Sequence, residues 1–138
     1  MAIRQVSIPL YQPESIENVN PKGKKVDDCA IRAVTKATGQ DWHKTFFDLC
    51  KIGDSLCEMP NSLKTQEEYL RKFGFVKKSY KVRKGEKRPT VRSFCRDHPK
   101  GTFVLRVANH VVCMIDGNYY DTWDCGDCAV YCWFEKVR

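Results

Sequence analysis

Histidine is scarce in this 138-residue sequence: there are three, His43, His98 and His110, so any chemistry that needs an imidazole has few choices. Long apolar runs are absent. None approaches the ~18 residues of a transmembrane helix, which argues against a membrane-embedded chain or partner. Glycine (8) and proline (6) are modest and apolar residues make up 42%, which excludes a disordered or low-complexity class. The opening MAIRQVSIPLYQPE has one Arg and no continuous apolar core or small-residue cleavage site, so export is not expected and a cytoplasmic setting follows. There the eight cysteines are expected to be reduced, leaving some free for catalysis or metal binding. Acidic residues are outnumbered, 17 against 24 Lys and Arg, for a net charge of +7. The basic runs KGKK (22–25) and KKSYKVRKGEKR (77–88) suit an acidic partner or nucleic acid, or a solvated loop, since little aromatic character interleaves them.

At this length one domain, 1–138, is expected. Residues 1–26 are polar, with Pro13 and Pro21, and read as an extended arm. With Asp27 as cap, Ala30, Ala33, Val34 and Ala37 recur at helical spacing up to Gly39. A second helix runs from the cap Asp41 to a stop at Gly53, and 53–62 is loop. Thr65 to Glu68 matches a capping box before a third helix, 76–82 is a strand, and Thr90 caps a short helix. From Gly101 the period becomes that of strands, at 102–107, 110–115, 118–123 and 129–134. Asp116-Gly117 is a hairpin turn between two of them. Helices followed by an antiparallel sheet make an α+β domain.

Cys29, in VDDCAIRA, falls in the first turn of the first helix, at its second or third position. Unbonded amides and the positive end of the helix dipole favour a thiolate there. His110 opens an apolar strand at the sheet rim, whereas His43 and His98 read as surface residues. A two-residue Asp116-Gly117 turn sets Ile115 opposite Asn118 and Val112 opposite Asp121. His110, Val112, Asp121 and Trp123 then share one face, with Asp121 diagonal to His110 at a backbone separation of about 7–8 Å. Asp124 points to the other face. A carboxylate in that place orients the ring and stabilises its charged form, which is the logic of a Cys-His-Asp triad; a purely structural hydrogen bond is the competing reading.

The segments DDCAIRAVTKATGQDW and GTFVLRVANHVVCMIDGNYYDTWDCG together resemble the papain-like superfamily over roughly residues 20–134. The likeness is to its small bacterial and phage members of the bacteriocin-leader-peptidase and transglutaminase-like kind. NPKGKK and YYDTWD resemble signatures of such phage-borne proteins. The resemblance implies a papain-like fold with N-terminal helices packed on a C-terminal antiparallel sheet. It also implies a cofactor-free thiol hydrolase or acyl transferase acting on a protein or peptide substrate. Cys29 would be the nucleophile, His110 the proton shuttle and Asp121 the orienting residue. The family places a Gln about six residues before the cysteine; this chain has Gly23 there, so Asn20, nine residues before, is the candidate oxyanion donor and Gln12 a remoter one.

Competing readings remain. Cys125 and Cys128 form a CxxC that, with Cys132, could ligate zinc, or could simply shape a turn. Trp42, Trp123, Trp133, Phe46, Phe47 and Phe73 fall at core-facing periods. A catalytically inactive binding or inhibitor protein on the same fold, and a basic nucleic-acid-binding accessory protein, are the alternatives to the enzyme.

Overall fold

A computed structural model describes residues 11–13 and 19–138. Its elements are β1 (Tyr11–Pro13), α1 (Cys29–Thr38), α2 (Trp42–Leu56), α3 (Leu63–Arg71), β2 (Phe75–Ser79), α4 (Val91–Asp97), β3 (Thr102–Val107), β4 (His110–Ile115), β5 (Asn118–Asp121) and β6 (Cys132–Lys136). The six strands form one sheet in the order β1-β5-β4-β3-β6-β2. The fold is therefore α+β, but the sheet is mixed rather than purely antiparallel, because β1 pairs parallel with β5. That pairing also revises the expected N-terminal arm: within it, Tyr11–Pro13 is an edge strand, and residues 1–10 and 14–18 lie outside the described residues. Pro13 at an edge is permitted, because a missing N–H there breaks no central ladder.

Side-chain alternation along the strands divides the core in two. Val104, Val111, Cys113 and Phe134 meet α1, α2 and α3, through Ala30, Val34, Leu49 and Leu70 among others. Phe103, Leu105, Val107, Val112, Met114 and Tyr119 meet Val91, Phe94 and Cys95 of α4 together with Cys125 and Val130. Burying strands on both faces gives the nearly continuous apolar run VVCMI of β4.

Local chemistry sets the element ends. Asp28, not Asp27, is the residue before α1, so Cys29 is the helix's first residue, one turn position earlier than expected. Helix α2 is capped by Asp41, whose side chain accepts from the Lys44 amide, and it continues past Gly53 to Leu56. Gly53 is there for closeness rather than as a stop: a Cβ on it would lie 2.7 Å from the Glu58 carbonyl oxygen. Helix α3 starts earlier than the capping-box match, because Ser62 accepts from the Thr65 amide and Thr65 is itself buried. Thr90 caps α4 with a reciprocal bond from Ser93. Strand β6 begins later than expected, since Ala129 bridges to Thr90 instead.

The hairpin on which the candidate site depends forms in the expected register, with Ile115 opposite Asn118, Met114 opposite Tyr119 and Cys113 opposite Tyr120. Asp116 and Gly117 both have positive φ, 49° and 81°, as a type I′ turn demands.

Candidate active site

The helix start and the hairpin deliver Cys29, His110 and Asp121 to one place. Asp121 is 2% exposed, and its Oδ2 lies 2.5 Å from His110 Nε2. With Nε2 so engaged, the other ring nitrogen is left for Cys29, whose thiol interacts with the His110 ring and the Val111 backbone amide. Burial opposes the charged form of both groups. The Cys29 pKa is nevertheless lowered, by the contacts with His110 and Val111 and by the charges of His110 and Arg32. For His110, hydrogen bonds and charges from Asp121 and Cys29 outweigh burial and raise it to about 9. A thiol pushed down and an imidazole pushed up are both shifts toward a thiolate–imidazolium pair.

Asp28 would ordinarily cap α1, but its buried carboxylate makes no cap bond. It accepts instead from Arg32 Nη1 and, at 2.9 Å, from Trp42 Nε1. The first-turn amides beside Cys29 are thereby left uncapped by that side chain. Arg32 also reaches Asp121, with Nη2 3.6 Å from Oδ1. Oδ1 further accepts from the Thr122 amide at 2.7 Å, and the Tyr11 hydroxyl donates to the Asp121 carbonyl at 3.0 Å. Asp121 is thus held from four directions.

Several of these residues were not singled out from sequence. The Asp28–Arg32 pair carries a signal, opposite charges four apart on a helix, but nothing in the sequence says that it is buried. Cys125, expected as a zinc ligand or a turn residue, takes another part: its buried thiol bonds Asp121, and burial with that carboxylate's charge pushes its pKa strongly up, so it is a neutral donor. Trp123 is not a core residue. It is half exposed and lies over the His110 ring, with centroids 4.9 Å apart. Phe46 and Phe47 are likewise exposed, Trp133 is buried, and Trp42 and Phe73 pack partly buried against the helical core.

Other expectations separate from the site. Asn20 folds into its own turn, where its Oδ1 accepts from the Lys22 amide at 2.9 Å and its carbonyl from Gly23. It lines a cavity with Asp28, Arg32 and Thr122 that does not include Cys29. Gln12 sits on β1 opposite Tyr120, away from the cleft walls. The asparagines lining both clefts at Cys29 are Asn61 and Asn109. The zinc grouping does not assemble. Among the described residues the three ligand-bearing side chains that come together are His110, Asp121 and Cys125, within 4.8 Å, and neither Cys128 nor Cys132 joins them. The CGDC segment instead serves α4, where the Gly126 and Cys128 carbonyls accept from the Arg92 and Val91 amides. A side chain on its Gly126 would meet the Tyr119 hydroxyl and the Arg92 guanidinium, so those groups would have to shift. His43 is exposed, while His98 is partly buried, its Nδ1 2.8 Å from the Phe94 carbonyl.

No helix among the described residues is long and apolar enough to cross a membrane. Comparison with models of known protein families, with curated proteins and with solved structures yields no match to this chain, so its function has to be argued from the site itself.

Proposed function

We propose that the chain is a papain-like thiol hydrolase or acyl transferase acting on a protein or peptide substrate, with Cys29 as nucleophile, His110 as acid and base, and Asp121 orienting His110. The observation that carries this reading is the meeting of a thiol on the first residue of α1 with the ring of His110, whose Nε2 is held 2.5 Å from the buried Asp121 carboxylate; the pKa shifts, Cys29 down and His110 up, run the same way. A buried structural cysteine gives the opposite sign, as Cys95 does, where burial alone pushes the thiol up to about 12.

In this mechanism the Cys29 thiolate attacks the substrate carbonyl and the carbonyl π pair moves onto oxygen. The first-turn amides of α1 stabilise the oxyanion. His110 gives its proton to the leaving amine as the C–N bond breaks, leaving a thioester on Cys29. His110 then takes a proton from water, or from an acceptor amine, which attacks the thioester and releases the thiolate. Asp121, fixed by Arg32, Thr122 and Cys125, holds the ring in line and stabilises its positive charge throughout.

A chloroacetamide probe at neutral pH, with labelled positions mapped by mass spectrometry, tests the nucleophile. Cys29 is expected to label first among the eight cysteines, ahead of the exposed Cys57, and Cys29→Ala to abolish that fast phase. Preferential labelling elsewhere, or a fast phase that survives Cys29→Ala, overturns the proposal.

A further inference from the structure

The cleft at Cys29 has two unlike halves. One, of about 430 Å³, runs past Val26, Asp27, Asp28, Arg32 and Trp123. In it the Arg32 cation is already neutralised by Asp28 and Asp121, while Asp27 is exposed. The other, of about 360 Å³, runs past Ser62, Leu63, Gln66 and Arg106, and Asn61 and Asn109 line both. Both halves contain Cys29 and His110, so a substrate crossing the sulfur passes from one into the other.

The second half carries one unpaired charge. Arg106 follows Val104 on the helix-facing side of β3, one step beyond the residues that the helices cover, so its guanidinium emerges at the cleft wall. It makes no ion pair among the described residues. Gln66 is 3% exposed. Its Nε2 donates to the Asn61 carbonyl at 3.0 Å, yet its Oε1 is buried with no partner among the described residues. That oxygen is sealed from the cleft, so the unpaired group this half offers a ligand is the Arg106 guanidinium.

The wall is also firmly held. Thr65 Oγ1 donates to the Met59 carbonyl at 2.8 Å, the Ser62 amide to the same carbonyl at 3.1 Å, and the Glu58 amide to Gly53 at 2.8 Å. Asn109 closes the opposite side in a left-handed conformation, φ 53°, that asparagine tolerates better than most residues.

We propose that this half of the cleft is a subsite for a substrate carboxylate placed within about one residue of the reacting carbonyl, with Arg106 pairing the carboxylate. The proposal rests on the assignment of Cys29 as nucleophile. It gives the substrate a class and a direction: the acidic group lies toward Arg106 and away from Asp27.

Iodoacetate and iodoacetamide test it without knowledge of the substrate. In both, the Cys29 thiolate forms the S–C bond as iodide leaves with the C–I electron pair, and the two differ only in a carboxylate one carbon from the reacting atom. The readout is the ratio of the two rates at Cys29, with iodoacetamide as internal reference. Arg106→Gln is expected to lower that ratio about threefold or more, the scale of one partly exposed charge pair. Arg106→Lys should keep most of it, and added salt should erode the wild-type preference. An unchanged ratio in Arg106→Gln overturns the subsite and leaves the nucleophile standing. If iodoacetamide on the wild type does not favour Cys29 over Cys57, the parent reading fails instead.

Discussion

Each member of the trio depends on a neighbour that takes a competing interaction away from it. Asp28 turns from its cap position toward Arg32 and Trp42, which leaves the amides near Cys29 open. Arg32 and Thr122 engage Asp121 Oδ1, Cys125 also bonds the carboxylate, and Oδ2 meets His110. Asp121→Asn keeps the shape and removes the charge. The His110 titration, followed by NMR in a protein with three histidines, is expected to fall from about 9 by roughly one unit or more, because an opposite charge no longer favours the imidazolium. An unmoved midpoint would show that Asp121 does not govern the ring. Sequence reasoning reached Cys29, His110 and Asp121 because helix position and strand alternation are local rules. It placed Trp123 on the face of His110 but also among core-facing residues, and it missed Arg32, whose role depends on which elements meet across the cleft. For Trp123 the apolar composition pointed into the core, whereas the chain leaves the sheet after Asp121 and sets the indole against the His110 ring.

At the scale of elements, the hairpin was the most legible part. Asp-Gly demands a turn with positive φ at both residues, that turn fixes the register, and the register decides between Asp121 and Asp124. Asp124 does lie apart, accepting from the Tyr119 hydroxyl at 2.6 Å. The α2–α3 connection was less legible. Gly53 read as a helix stop, but its role is to let the 58–60 backbone pass against α2, which in turn sets Asn61 beside Cys29. Gly53→Ala should therefore destabilise the fold by about 1–3 kcal/mol, the usual range for overpacking, as measured by urea unfolding. Stability equal to the wild type would mean that this passage is not tight. Parallel β1 could not be read at all, since three residues carry too little pattern to reveal a pairing with a strand more than a hundred positions away.

For the whole molecule, the basic run at 77–88 gains a structural reading. It begins on β2, an outer strand of the sheet, where Lys77 and Lys78 are exposed and Lys78 Nζ pairs with Glu135 at 2.8 Å. Charged side chains on an outer strand deter edge-to-edge association, a role that needs no nucleic acid. All eight cysteines are free, and they divide by environment: Cys95 and Cys125 are pushed up by burial, while Cys29 is pulled down. That contrast is the account's central claim, and the pH dependence of alkylation tests it most directly. The Cys29 pKa is lowered on folding, so the wild-type rate with iodoacetamide should hold as pH falls below the ordinary thiol value of about 8.5, and decline only at more acidic pH. In His110→Ala the ring's hydrogen bond and charge are gone while burial remains, so the inflection should move up to that value or beyond it. The same inflection in both proteins, or a wild-type inflection at or above about 8.5, would contradict the account.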